Sequence, residues 1–422
     1  MKCHATIVAL PLVALLCASI AFGDVDVNVG DSWSSLSAGN PEGTVFRIKR
    51  GRHKKQSVFP KNGQQFIGET GAIMDGDRNN GGPSLAFRGA TSGGRAADNV
   101  VIKNLEITEY GNSAQSGAIQ SRSGDVIASG WIIENCDIHH NSGGGIVIGH
   151  GFKIRNCAFH HMDQICLLGG HNGSLVEDCE VAYGNWWRKY GWGWEAGGSK
   201  FWRSNDLIVR RNYSHHHYGP GFWSDIMNDR ISYEGNLVED NEVFGIFHEI
   251  SYAGEFWCNT VRNNAIGNKP SWSKSAQIHI TASTDCDVHH NWVTTHKAGG
   301  HGIRVMHKNR GSAYYSCENH WVHHNHVTHL ADFAQTGIEL ESWDEGWNAS
   351  FWTKGHYMNN NVYHVPDLEA KAWRFGPTPE NLKTWAEMKA SGQEAGGTAD
   401  TNLDPGPPDC PECEELWEPQ II

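Results

Sequence analysis

The chain has 422 residues, among them 49 Gly, 18 Trp and 25 His, with 19% charged and a net charge of −13. So many glycines imply many turns and argue against long helices. The acidic balance is spread along the chain, which excludes non-specific binding to nucleic acid or to an anionic membrane surface. The one basic cluster, RIKRGRHKK at residues 47 to 55, reads as a solvated strand edge.

Residues 1 to 23 read as a secretory signal: Lys2 supplies a charged n-region, TIVALPLVALLCASIA an apolar core, and Ala21-Phe22-Gly23 a small-x-small cleavage site. No later segment reaches the ~18 consecutive apolar residues of a membrane span. The mature protein is therefore expected to be secreted (extracellular or periplasmic), soluble and monomeric. Nine cysteines follow residue 23, an odd number that rules out a complete intramolecular disulfide framework. Cys136, Cys157 and Cys179 each follow an Asn or Asp at intervals of 21 and 22 residues, as stacked interior thiols of a repeat would. Cys410 and Cys413 lie in a Pro-rich acidic tail, where a local disulfide or a disordered end is expected ahead of a metal.

A recurring unit runs through the chain: a short β-branched run, an Asn, another short run and a Gly-containing turn. Its key polar position falls at residues 104, 135, 156, 178, 212, 236, 259, 291, 325 and 361. Coils of a parallel β-solenoid explain the period, because no coil can bury its apolar face alone and stacking makes a continuous core. A ladder of turn asparagines fits this arrangement, since side-chain amides can bond from coil to coil. The paired histidines (139–140, 160–161, 215–217, 289–290, 323–324) sit just after that position. Alternation is expected to send one of each pair inward and one outward, in structural rather than metal-binding roles.

These repeats, over roughly residues 30 to 365, resemble those of right-handed parallel β-helix proteins of the pectin-lyase-like superfamily. GTVFRIKRGRHKKQSVFPKNGQQFIGETGAIMDG is similar to the first coils of that group. The expected fold is all-β, a right-handed parallel β-helix of about ten coils over residues 24 to 375. Residues 376 to 400 are expected to form a helical cap, with Leu382, Trp385 and Met388 at amphipathic spacing, and residues 401 to 422 to leave the fold as a disordered tail.

Between the Asn turns lie runs mostly opened by Gly: GAIQSR, GGIVIGH, QICLLGG, GWEAGG, GFWSDI, GIFHEIS, QIHITAS, GIRVMH and GIELES. With the first aliphatic residue of each inward, period-two alternation puts Glu195, Trp223, Phe247, His279, Arg304 and Glu339 in one outward column. Asp225, Glu249, Thr281, Met306 and Glu341 fall in the next. Asp225 and Glu249 would then be neighbours, and one carboxyl should be pushed towards its protonated form unless a cation or basic group intervenes. Longer repeat intervals here place Trp-rich loops beside this face. Trp192, Trp194 and Trp223 suit the apolar faces of sugar rings, with Glu339 and Glu341 as hydroxyl partners; burial of Trp within the loops themselves is the alternative.

The resemblance implies β-elimination, or C5 epimerisation, on uronate-containing polysaccharides: a cation, often calcium, neutralises the substrate carboxylate and a base removes the C5 proton. Asp225 and Glu249, with Glu195, offer oxygen ligands for calcium; Lys200, His248, His279 and Arg304 are candidates for the base or for stabilising charge. YGPGFWSD is similar to the Tyr-Gly-x-Asp-Pro-His stretch of mannuronan epimerases, but the Asp-Pro-His core is absent. A glycoside hydrolase would use the same carboxylates as acid and nucleophile or base. The Asn-Thr-Asp and Asp-Asp motifs of polygalacturonases of this fold are missing, and Gly149-His150-Gly151 resembles only their Gly-His-Gly. The third reading is a non-catalytic glycan-binding or adhesin-like β-helix.

Overall fold

The structure is a computed structural model that describes residues 24–267, 275–298, 300–307, 317–340, 355–377 and 381–416. The signal-like segment at 1 to 23, Glu341 and Trp272, Trp343, Trp347 and Trp352 lie outside these residues. No helix among them is long and apolar enough to cross a membrane.

Nearly all of the chain winds through three long parallel sheets of thirteen, thirteen and twelve strands, the last including one short antiparallel strand. From Val101 on, each coil contributes a strand to every sheet in turn, which makes a right-handed parallel β-helix. The stack is longer than the ten coils expected. Residues 25 to 75 already form strands in its first two sheets, before the first repeated Asn at 104. Inward side chains form one continuous core.

The turn between the first and second sheets is made by one residue in the left-handed region, followed by one buried residue. The left-handed positions are Asn104, Asn135, Asn156, Asp178, Arg211, Gly235, Cys258, His290, His324 and Asn360, all with φ between 49° and 57°. The ten repeated polar residues therefore occupy two different places. The first four are the left-handed residues themselves, backed in the interior by Leu105, Cys136, Cys157 and Cys179. From residue 212 the asparagine moves one position on and turns inward.

There the amides join coil to coil. Asn212 Nδ2 donates to Asn236 Oδ1 (3.0 Å), Asn236 to Asn259 (2.9 Å), Asn259 to Asn291 (2.9 Å), Asn291 to Asn325 (2.9 Å) and Asn325 to Asn361 (2.9 Å). Asn361 ends the series on Glu394 Oε1 (2.7 Å), beneath the C-terminal cap. Each Oδ1 also accepts the preceding asparagine's backbone N–H, and each Nδ2 reaches a backbone carbonyl, so the buried amide is satisfied in each coil of the ladder.

The run 215–217 does split, with His215 and His217 buried and His216 exposed, but in the other four pairs a left-handed residue interrupts alternation and neither ring turns inward. His139–His140, His160–His161, His289–His290 and His323–His324 all lie partly exposed, each pair joined through Nδ1 atoms 2.7–2.9 Å apart. They stack face to face on the next coil's pair, with ring centroids 4.9–5.1 Å apart. The inward–outward split expected of these four pairs is replaced by ladders of stacked rings along the turns.

The stack is closed at both ends. A helix, α1 (Trp33–Gly39), is capped by Ser32 and lays Trp33 over Phe66. At the other end the helix is shorter than the expected 376–400 span: α2 (Trp385–Ala390) is held by a Thr384–Glu387 capping box, while Leu382 is in a strand. Trp385 packs on Trp373 and Tyr363, and Met388 is buried. The tail does not leave the fold through residue 416: Cys413 is disulfide-bonded to Cys258, with Cα atoms 5.3 Å apart. The expectation of a Cys410–Cys413 bond or a disordered end failed because the partner cysteine lies 155 residues away in sequence.

Replacing Asn259 by Ala strips the acceptor from Asn236 and a donor from Asn291. Stability is expected to fall by on the order of 3 kcal/mol, read as a lower urea midpoint with unchanged slope. His248, His320 and His329 are fully buried, and burial pushes each down to about 3. Their neutral forms contribute stability that is complete above the unfolded value of about 6.5 and is lost as pH falls toward 3, by up to about 1.4 kcal/mol per pH unit per histidine. Urea midpoints measured from pH 7 down to pH 4 should therefore decline steadily.

Candidate functional site

The third sheet carries the site on strands β1 (Gly197–Phe201), β2 (Phe222–Asp225), β3 (Phe244–Glu249), β4 (Ala276–Thr281), β5 (His301–His307), β6 (Thr336–Leu340) and β7 (Trp373–Pro377). Glycines lead several of these strands because neighbouring coils crowd there. A Cβ on Gly221 would come within 2.7 Å of the Gly245 carbonyl, and one on Gly245 within 2.5 Å of the Gln277 carbonyl.

Register places Trp223 beside Phe247, Phe247 beside His279, and His279 beside Arg304. The next outward column runs Asp225, Glu249, Thr281, Met306, Glu339. Asp225 and Glu249 are thus neighbours on adjacent coils, as alternation predicts. Three placements differ. Glu195 lies in the loop before β1, and Lys200 takes the outward position next to Leu168; the run GWEAGG begins in a loop, and the strand begins only at Gly197. Glu339 stands in the Asp225 column, two residues out of phase with the expected column. His248 faces the interior between Phe247 and Glu249, bonded to Ser224 Oγ at 2.7 Å and fully buried, so it does not reach the site.

Lys200 is the centre of the charge arrangement. Its Nζ lies 2.6 Å from Asp225 Oδ2 and 3.5 Å from Glu195 Oε1, and 3.5 Å from the Trp223 ring centroid. Lys200 is 3% exposed and Asp225 5%. The basic neighbour that two stacked carboxylates call for is therefore present, reaching Asp225 from the preceding coil. Glu195 is held by Gln115 Nε2, which donates to its Oε2 at 2.8 Å.

Planar groups form a stack across four coils. Trp223 and Phe247 lie 5.3 Å apart, Phe247 and His279 5.0 Å, both nearly parallel. The Arg304 guanidinium continues the row, with Nη1 3.0 Å and 3.1 Å from the two His279 ring nitrogens. A cation thus closes each end of the aromatic row, Lys200 over Trp223 and Arg304 over His279. Arg304 is fully buried, with Nη2 against Met306 Sδ. Farther along, Glu339 is gripped by Arg374 (2.6 Å) and by Asn381, and burial still raises its pKa.

Trp192 folds over this row, with its ring 6.2 Å from Trp223 and 5.8 Å from Phe244. A cavity of about 280 Å³ opens between them, lined by Trp192, Lys200, Asp225, Glu249, His279 and Thr281 among others. Asp225 Oδ1, Thr281 Oγ1 and Trp223 Nε1 are buried there without a hydrogen-bond partner among the described residues. Such orphaned atoms call for a ligand. Two carboxylates and a hydroxyl on one column are hard oxygen donors, a set that fits calcium or sugar hydroxyls. Trp194 is 50% exposed on the loop beside Tyr190 and does not line the cavity, and Glu339 lies beyond it. Sequence reasoning missed Phe244, whose ring precedes the strand-opening glycine, and Arg374 and Asn381, which belong to a strand and turn outside the Gly-led pattern.

Replacing Lys200 by Met leaves Asp225 buried without its cation and is expected to cost about 3 kcal/mol. The double variant Lys200→Met/Asp225→Asn should recover most of that loss. A thermodynamic cycle from urea unfolding measures the coupling.

Residues 116–293 match the family described as right handed beta helix region. Among solved structures, the XylC–xylose complex superposes with a TM-score of 0.60 at 11% identity, covering 89% of this chain and 83% of that one. The A-module of the Azotobacter vinelandii mannuronan C-5 epimerase AlgE4 gives 0.54 at 13% identity, with 79% and 89% covered. The AlgE6 A-module from the same organism gives 0.50 at 10%, with 87% and 92% covered. No curated protein sequence matches the chain. By its coil architecture and its matched region, the chain has the fold of a right-handed parallel β-helix.

Proposed function

We propose that this protein is a secreted enzyme that acts on a uronate-containing polysaccharide by removing the C5 proton and eliminating the group at C4, with Lys200 as the base. The observation that carries this reading is a buried amine at the edge of an aromatic-walled cavity, between two carboxylates and against an indole face. Trp192, Trp223 and Phe247 offer ring faces to a sugar, which orient it by stacking. Asp225 and Glu249 would hold calcium, which supplies positive charge beside the substrate carboxylate. Lys200 in its neutral form takes the C5 proton on Nζ as the C4–O4 bond breaks, the C4–C5 double bond forms and the leaving oxygen gains a proton. Arg304, behind His279, holds the imidazole ring in place in the cavity wall. The likeness to mannuronan C-5 epimerases supports the substrate class, since epimerisation begins with the same proton abstraction.

A second reading rests on the register itself. Carboxylates on adjacent strands ~4.8 Å apart are close to the ~5 Å of a retaining glycoside hydrolase, with Glu249 and Asp225 as the pair.

The test is turnover of polyuronates with and without calcium. Elimination yields an unsaturated uronate read by its ultraviolet absorbance. Lys200→Ala and Glu249→Gln are each expected to lower turnover by about 10²-fold or more while leaving the circular dichroism of the β-helix unchanged. New reducing ends without ultraviolet absorbance would replace the lyase reading by the hydrolase one. Binding without turnover would leave a non-catalytic glycan-binding protein.

A further inference from the structure

The Cys258–Cys413 disulfide leaves Cys410 as the odd cysteine of the tail, and its surroundings are unlike those of the other free thiols. Cys136, Cys157, Cys166, Cys179, Cys286 and Cys317 are all buried among core side chains. Cys410 instead lines a cavity of about 330 Å³ between the tail and the turns joining the first two sheets. His290 and Glu412 share that cavity. One donor atom each from His290, Cys410 and Glu412 lies within 4.8 Å of the other two.

The geometry points to a zinc site formed by His290, Cys410 and Glu412, which fastens the C-terminal tail to the turn edge of the β-helix. The Nδ1 of His290 is engaged with Nδ1 of His289 at 2.9 Å, which leaves Nε2 for a metal. Stacking on His324, with centroids 5.1 Å apart, fixes the plane of the ring. Cys410 Sγ lies 3.7 Å from Glu412 Oε2. A thiolate and a carboxylate that close repel, and a divalent cation between them turns the repulsion into attraction. One imidazole, one thiolate and one carboxylate form a mixed N, S and O set that suits zinc over calcium or magnesium. Three protein ligands leave a fourth position towards the cavity, where His324, His326 and Asn360 also stand.

A rival chemistry uses the same thiol. Cys410 Sγ lies 2.8 Å from Cys413 Sγ, so its thiolate could attack Cys413, form a Cys410–Cys413 bond and release Cys258 as the thiolate. That exchange needs no added oxidant and would consume the proposed ligand.

The experiment uses the full mature chain without reductant, its disulfide connectivity fixed by peptide mapping, titrated with zinc and with cobalt(II) as a spectroscopic probe. The expected result is one metal per chain with the Cys258–Cys413 bond intact and a thiolate-to-cobalt charge-transfer band. Cys410→Ser should abolish the band. His290→Ala and Glu412→Gln, the latter on an exposed side chain, should each weaken binding by about tenfold or more. No bound metal, binding only after reduction, a band that survives in Cys410→Ser, or a native Cys410–Cys413 bond would each overturn the site. Because the readout is metal binding, the outcome is independent of any activity on polysaccharide.

Discussion

The amide-to-amide hydrogen bond between successive coils is the constraint on which the working half of this molecule rests. A parallel stack has little else to fix how far one coil is rotated against the next, since apolar side chains slide over one another at small cost. A buried asparagine does not slide. Its Oδ1 takes two donors from the preceding coil and its Nδ2 spans to an amide and a carbonyl, so a one-residue slip would orphan several polar atoms in every coil at once. The left-handed residue before it turns the chain and aims the amide inward. Register on the third sheet follows from that, and with it the meeting of Asp225 with Glu249 and of Trp223 with Phe247 and His279.

The change from cysteine to asparagine coincides with the start of the site. The three coils before it are backed by the thiols of Cys136, Cys157 and Cys179, whose weak, long contacts specify little. Amides take over at residue 212, just after Lys200, and continue to Glu394. The coils that must hold charged groups within hydrogen-bonding distance are those with the stricter interior.

Much of this was legible in the residues. Recurrence of Asn and of Gly-led runs gives the solenoid, and alternation alone pairs Asp225 with Glu249. What misled was phase. Asp178 and Asn212 look equivalent by interval, yet Asp178 is itself the left-handed turn residue, whereas Asn212 follows one and points into the interior. The same effect undid the histidine pairs. Lys200 for Glu195, and the shift of Glu339, came from runs in which several glycines or flanking residues could open the strand, and only pairing with the neighbouring coil decides among them. The interior position of His248 was implied by the alternation that placed Glu249 outward. The bond from Cys258 to Cys413 had no signal in spacing at all.

That bond alters how the stack can come apart. A solenoid is nearly one-dimensional, and coils at an open end can peel away singly because each touches only its neighbours. Here the last segment is fastened back to the coil that follows Glu249, so a span of 155 residues is closed into a ring. In chain-entropy terms such a closure removes about 5 kcal/mol of freedom from the unfolded chain. The C-terminal coils are thereby joined to the middle of the molecule as one block, and the cavity sits at the border of that block, away from the end where unzipping would otherwise begin.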